Sequence, residues 1–148
     1  MKLLVCTSLL ALASIMTPAL AQEASPVGLW KNIDDATGKP KALIRITEHG
    51  GELIGKIEKL YLAPGEEANP RCGKCAGDKK DQPVIGMVFM SGLKKHDGEY
   101  SGGEILDPDN GKVYRSKLSL TDAGKKLNVR GYIGVPMFGR SQIWLRQD

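Results

Sequence analysis

Turn-forming residues interrupt the chain about every ten residues from residue 25 onward, and glycine stands in most of these interruptions. The segments between them alternate apolar and polar side chains with a period of two, as in 41–47, where Ala42, Ile44 and Ile46 share one face. No helical period follows the N-terminal apolar run. Short strands at this spacing predict an all-β protein.

The alternation predicts about eight antiparallel strands. They are placed at 27–32, 41–47, 53–58, 84–90, 100–106, 114–120, 127–133 and 140–146. The clearest hairpin is 107–111, because its Asn-Gly pair supports the positive φ angles of a tight turn. Segment 61–83 breaks the rhythm, being rich in Pro, Gly, Lys and Glu, and is predicted to form one long loop that contains both downstream cysteines.

Short hairpins between consecutive strands favour a small up-and-down β-barrel, since closing the first strand on the last removes both exposed sheet edges. Glycines inside predicted strands, such as Gly55 and Gly131, suit the tight curvature of a small barrel. A Greek-key sandwich is the alternative if the loop 61–83 crosses over the barrel end. Segment 84–90 is apolar on both faces, which predicts a strand covered on its outer side or one that faces a partner.

The N-terminus has the pattern of a secretory signal peptide. Lys2 precedes an apolar run at 3–16, and Ala19-Leu20-Ala21 provides the small residues that signal peptidase requires. We expect residues 1–21 to be removed after Ala21, leaving 22–148 as a single periplasmic or secreted domain. The apolar run is shorter than the about 20 residues of a bilayer span, so no transmembrane segment is predicted.

Charge and histidine content argue against several classes of function. Loss of Lys2 lowers the formal net charge of +4 by one, and the remaining cations alternate with acidic residues, so no nucleic-acid partner is expected. His49 and His96 each stand beside glycine in a predicted turn. Nothing in their spacing indicates a catalytic triad or a zinc site, and 107–111 lacks the later oxygen ligands of a calcium loop. We therefore predict no enzyme activity, no cofactor and no metal.

Cys72 and Cys75 are the pair of residues whose spacing most strongly suggests a chemical role. In an oxidising compartment two cysteines this close are expected to form a disulfide, and closing so small a ring contributes about 2 kcal/mol to stability. Thiol exchange is an alternative because Lys74 could stabilise a thiolate. A metal site is a further alternative, although it lacks two more soft ligands nearby.

A Gly-x-Trp motif opens the first predicted strand, at Gly28 and Trp30. Lipocalin-type barrels carry this motif on their first strand, with an arginine from the end of the barrel laid across the indole by a cation–π contact. Arg140 and Arg146 flank Trp144 on the last predicted strand and are the candidates for that arginine. These five residues are therefore predicted to be structural.

Taken together, motifs along almost the whole mature chain resemble the secreted bacterial domain-of-unknown-function family 2147. The motifs are 28–30, 37–39, Cys72 with Cys75, 92–94, 105–108, 110–111, Tyr114, 130–132, 139–140 and Trp144. The Asp-Pro-x-Asn-Gly and Arg-Gly-Tyr stretches are the more specific of them. The resemblance implies a lipocalin-like barrel in the envelope or outside the cell, with no established activity.

A barrel of this kind predicts a binding module whose mouth or interior holds a small apolar or amphipathic ligand. The candidate lining residues are Trp30, Tyr114, Arg130, Tyr132 and Arg140, with the arginines orienting an anionic head group. One alternative is an envelope scaffold that docks a protein partner through the apolar segments 84–90 and 135–138. Another is thiol–disulfide exchange at the two cysteines. A barrel filled by its own side chains would exclude an internal ligand.

Overall fold

The strands form one closed antiparallel barrel. The structure, a computed structural model, describes residues 23–148. Its eight strands follow sequence order around the barrel, and the last pairs with the first. The predicted up-and-down barrel is therefore confirmed and the sandwich is not formed. The predicted signal peptide lies outside the described residues. Within 23–148, no helix combines the length and apolar character needed to cross a bilayer.

The strands are β1 Gly28–Ile33, β2 Pro40–His49, β3 Glu52–Leu60, β4 Val88–His96, β5 Glu99–Asp107, β6 Lys112–Thr121, β7 Lys126–Tyr132 and β8 Gly139–Arg146. Short 3₁₀ turns lie at Gly77–Lys79 and Asp122–Gly124. The strand predicted at 84–90 begins instead at Val88. Residues 84–87 form a turn, in which Gly86 has a φ of 90° and the Met87 amide donates to the Val84 carbonyl at 3.2 Å.

The two ends of the barrel differ in their connections. At the end that we call the closed end, β2–β3, β4–β5 and β6–β7 are joined by tight turns. At the opposite, open end lie the other four connections, at 34–39, 61–87, 108–111 and 133–138, and all but 108–111 are longer than those of the closed end. Because tight turns leave no room for a ligand and long loops do, this asymmetry places any binding site at the open end.

Trp30 seals the closed end. Its ring is fully buried, its indole nitrogen donates to the Pro26 carbonyl at 2.7 Å, and the Arg146 guanidinium lies 4.3 Å from the ring centre. A Cβ at Gly28 would lie 2.7 Å from an Arg146 nitrogen, which explains the glycine of the Gly-x-Trp motif. Arg146 also donates to three backbone carbonyls, those of Ser25, Val27 and Gly124. Of the two candidate arginines, the structure places Arg146 over the indole, while Arg140 lies at the open end.

The barrel interior is packed with apolar side chains. Each turns inward from its strand at alternate positions, which is why the period of two predicted them. The members that are less than 2% exposed are Ile44, Ile46, Leu53, Met90, Leu93, Leu118, Leu127 and Trp144. Burying a side chain of this size contributes about 1.5–3 kcal/mol, so this core accounts for most of the favourable energy of the fold.

The long loop between β3 and β4 is anchored by its disulfide. Cys72 and Cys75 are bonded to each other, as predicted, and are only 1% and 4% exposed. The Cys72 sulfur lies 3.4 Å from the Pro108 carbonyl oxygen of the β5–β6 hairpin. Gly111 in that hairpin has a φ of 73°, and a Cβ there would overlap the Lys74 carbonyl. The disulfide loop is therefore packed tightly onto the hairpin at the open end.

Candidate binding site at the open end of the barrel

A cavity of about 1460 Å³ opens between the four connections of the open end. It is lined by residues near the ends of the strands and by residues of all four loops. Ligand sites in proteins commonly enclose about 300–1,000 Å³, so the space is large enough for a lipid-sized molecule. We call this cavity the bowl.

The bowl does not continue as a tube through the barrel. Its deepest residues are close to fully buried: Ile44, Ile57, Phe89, Val129 and Trp144 are between 0% and 8% exposed. Their side chains fill the cross-section below the mouth, and the Phe89 and Trp144 rings lie 6.2 Å apart. A ligand would therefore rest on this apolar floor rather than enter the barrel core.

Aromatic and aliphatic side chains form the walls above the floor. Tyr114, Tyr132 and Ile105 line one side, and Tyr61 from the long loop lines another. The Tyr114 hydroxyl accepts a hydrogen bond from the Asn110 side chain at 3.1 Å, which holds the ring at the rim. The walls thus offer apolar surface with polar groups at their upper edge, the arrangement that suits an amphipathic molecule.

A small polar network lies where β1 meets β8. The Asn32 amide donates to the Gln142 side-chain oxygen at 3.0 Å, and the same oxygen lies 3.4 Å from the Trp144 indole nitrogen. Asn32 is only 9% exposed, and its own side-chain oxygen has no hydrogen-bond partner among the described residues. An unpaired buried acceptor lowers the stability of the fold. The unpaired Asn32 oxygen is therefore not explained by the packing of the barrel.

Arg140 lines the bowl but is held by Asp35 through two hydrogen bonds and an ion pair. The hydrogen bond from Arg140 lowers the pKa of Asp35, and the same bond raises the pKa of Arg140. Both groups are charged at neutral pH. The charge of Arg140 is therefore largely compensated and is not free to orient an anionic head group.

The rim of the bowl carries both signs of charge. Lys41, at the start of β2, pairs with Asp109 in the loop between β5 and β6. Asp34 accepts hydrogen bonds from the backbone amides of Thr37 and Ala36, which lower its pKa. Such mutual compensation does not produce the strongly positive funnel expected for an anionic ligand.

The structure brings only three of the predicted lining residues to the bowl, namely Tyr114, Tyr132 and Arg140. Trp30 lies at the closed end, because Gly-x-Trp begins β1 and the open end follows its last residue. Arg130 points away from the barrel and binds the β7–β8 loop, donating to the Pro136 carbonyl at 2.6 Å. The sequence analysis missed Asn32, Phe89 and Gln142, which carry no motif and are recognisable only from their strand positions.

The two alternative docking segments differ in their exposure. Segment 84–90 is not an exposed docking face, since Val84, Met87, Phe89 and Met90 are at most 8% exposed. Segment 135–138 is exposed, as the docking hypothesis requires.

His49 and His96 lie exposed at the closed end, remote from the bowl. Within residues 23–148, no group of three or more His, Cys, Asp or Glu side chains is arranged to hold a metal ion.

Comparison with known proteins agrees with the fold. HP1028 from Helicobacter pylori, a solved structure described as belonging to the lipocalin family, superimposes with a TM-score of 0.72 over 84% of each chain, at 18% sequence identity. That identity supports the barrel and not a shared ligand. Among curated proteins, none matches the chain. Residues 28–146 match the family described as "Uncharacterized protein conserved in bacteria (DUF2147)". The chain therefore belongs to the DUF2147 family, and it folds into the lipocalin-like barrel that the sequence predicts.

Proposed function

We propose that the protein is a non-enzymatic binding module that holds a small apolar or amphipathic molecule in the bowl. The observation that carries this proposal is the apolar floor of Phe89, Val129 and Trp144 beneath a mouth lined by tyrosines. Apolar surface that a fold leaves open at the end of a barrel is a feature of ligand sites. The lipocalin-like fold is compatible with this role.

The shape and charge of the bowl narrow the chemical class of the ligand. Its apolar part would rest on the floor, and its polar part would lie at the rim among paired charges and the Tyr114 hydroxyl. Because Arg140 is compensated by Asp35, a free anionic group gains little there. We infer a ligand with one or two apolar chains and a neutral or zwitterionic polar group.

The site of action follows from the N-terminal pattern, which supports export to the periplasm or beyond. The disulfide between Cys72 and Cys75 is consistent with that compartment. Thiol exchange is less well supported, because an attacking thiolate must reach a sulfur and both cysteines are at most 4% exposed. A structural disulfide accounts for the pair without a redox role.

Tryptophan fluorescence tests the proposal, because Trp144 lines the bowl whereas Trp30, two residues away along the β1–β8 ladder, does not. In a Trp30→Phe variant, emission comes from Trp144 in the floor of the bowl. We expect a brominated lysophosphatidylcholine, added below its micellar concentration, to quench that emission saturably. In a Trp144→Phe variant, the remaining Trp30 should be quenched less by the same probe, because it lies below the lining. Equal quenching of both variants would contradict binding in the bowl.

A filled bowl provides the matched control. A Cβ at Gly131 would lie 3.5 Å from Tyr114, in ordinary contact, so Gly131→Leu should fold while occupying the bowl beside the wall formed by Tyr114 and Ile105. Lys126→Leu adds the same side chain to β7 at the exposed closed end. We expect Gly131→Leu to abolish saturable quenching and Lys126→Leu to preserve it. Native mass spectrometry and organic extraction of protein from its own envelope would then identify the natural ligand.

A further inference from the structure

The loop between β7 and β8, residues 133–138, exposes an unusual concentration of apolar side chains. Ile133, Val135, Met137 and Phe138 are 62%, 51%, 79% and 73% exposed. We call residues 133–138 the mouth loop. Soluble proteins seldom leave large apolar side chains grouped in this way unless the group contacts another apolar phase.

The mouth loop is held in this conformation by a charged clamp. Arg130 donates to the carbonyls of Pro136 and Met137, at 2.6 and 3.3 Å, and to the Ser141 hydroxyl at 2.9 Å. The Phe138 amide donates to the Val135 carbonyl at 3.1 Å. The carbonyls of Val135, Pro136 and Met137 and the amide of Phe138 are therefore paired, while the apolar side chains are exposed. Such a tip can enter an apolar phase at a reduced cost of backbone desolvation.

Three arginines lie around the mouth loop. Arg140 is paired with Asp35, whereas Arg130 forms no ion pair among the described residues. Arg130 and Arg140 lie directly at the base of the loop, on its two flanking strands. Arg115 is exposed beside Tyr132 and forms no ion pair within residues 23–148. An apolar tip over a basic base is complementary to a membrane surface that contains anionic lipid.

The bowl favours a bilayer over a protein as the occupant of this surface. Met137 and Phe138 line the bowl as well as the tip, so the exposed apolar surface continues from the loop into the site. The bowl is open to solvent between the four loops, so the part of a bound lipid at its mouth would be in water. A protein seated on the loop would obstruct the entrance. A bilayer would instead cover the exposed part of the ligand and supply or receive it.

We propose that the mouth loop docks the barrel onto an anionic phospholipid bilayer, inserting Met137 and Phe138 so that the bowl opens onto the lipid. The natural ligand would then be a membrane lipid exchanged at the surface. This last point rests on the proposed function, whereas docking itself depends only on the loop and its basic base.

Cosedimentation with vesicles tests docking. The barrel of residues 23–148 should be used, because the N-terminal apolar run would itself bind lipid. With vesicles of equal parts phosphatidylglycerol and phosphatidylcholine, we expect binding that weakens as salt is raised. The double substitution Met137→Ser and Phe138→Ser should weaken binding about tenfold or more, since two large apolar side chains lose their insertion.

The control replaces two partly exposed apolar side chains elsewhere. Val27 and Ile143 are 39% and 43% exposed and lie outside the loop, so Val27→Ser with Ile143→Ser should bind vesicles as wild type does. Emission from Phe138→Trp should shift to shorter wavelength only when anionic vesicles are present. Failure of wild type to sediment with these vesicles would overturn the proposal, as would equal binding by the loop variant or dimerisation through the loop.

The bowl-filled variant separates this proposal from the proposed function. Gly131→Leu should retain vesicle binding while failing to bind the brominated lysolipid. Lysolipid binding without vesicle binding in the wild type would overturn docking and leave the bowl proposal standing. Vesicle binding without any lysolipid binding would support docking and contradict the bowl.

Discussion

Replacing Trp30 by Ala should destabilise the barrel by about 3–5 kcal/mol, because large-to-small substitutions of a fully buried aromatic residue cost this much. The structure divides the loss into three parts. The indole leaves a void at the closed end, the Pro26 carbonyl loses its donor, and the Arg146 guanidinium loses the ring beneath it. The cation–π part should amount to about 0.5–2 kcal/mol.

Urea unfolding of residues 23–148, followed by far-ultraviolet circular dichroism, measures the loss directly. The midpoint should fall while the slope with denaturant stays constant, since the surface exposed on unfolding is nearly unchanged. A cycle that combines Trp30→Ala with Arg146→Met isolates the coupling between ring and guanidinium. Phe138→Ala, at a 73% exposed position, is the control and should change stability by at most about 0.5 kcal/mol. A loss below about 1 kcal/mol for Trp30→Ala would refute its role as the seal of the barrel.

Three further predictions follow from the open end. The pKa of Asp35 is lowered by the hydrogen bond from its arginine partner, so the pair stabilises the fold above the ordinary pKa of 3.8 and loses this effect as pH falls through the lower folded value. Asp35→Asn should therefore be less stable than wild type at pH 7, by thermal melting, and the gap should close in acid; a gap independent of pH would contradict this. Gly111→Ala should lower the melting temperature, because its Cβ would overlap Lys74 at a positive φ. Replacing Cys72 and Cys75 by Ser should cost only about 2 kcal/mol, so a chain unable to fold without the disulfide would contradict a local role.

Much of the barrel could be predicted because its determinants are local. Alternation along β2 and β6 sets which side chains face inward, and the Asn-Gly pair after β5 sets a hairpin, without information from distant residues. The strand predicted at 84–90 failed for the opposite reason. An apolar run is equally compatible with a buried turn, and Val84 and Met87 are buried by the long loop and the barrel rather than by strand pairing.

The bowl itself was only partly predictable. Tyr114 and Tyr132 are among the lining residues that the sequence predicts, and the structure places both in the lining. Arg130 is also predicted to line the bowl. The structure instead directs its side chain away from the barrel, where it donates to carbonyls of the mouth loop. Asp35, which compensates the charge of Arg140, is 105 positions away in the chain. The sequence alone does not show that the two side chains are in contact.

The amino-acid sequence by itself determined the class of the molecule: a β-meander with one long cysteine loop, a Gly-x-Trp start and an apolar face on every strand, since these depend on neighbouring residues and on the period of the backbone. The tertiary structure alone decided which end is sealed, which arginine covers the indole and which charges cancel at the mouth. Those outcomes depend on closure of β1 against β8 and on side chains from loops far apart in the chain, which meet only once the barrel is complete.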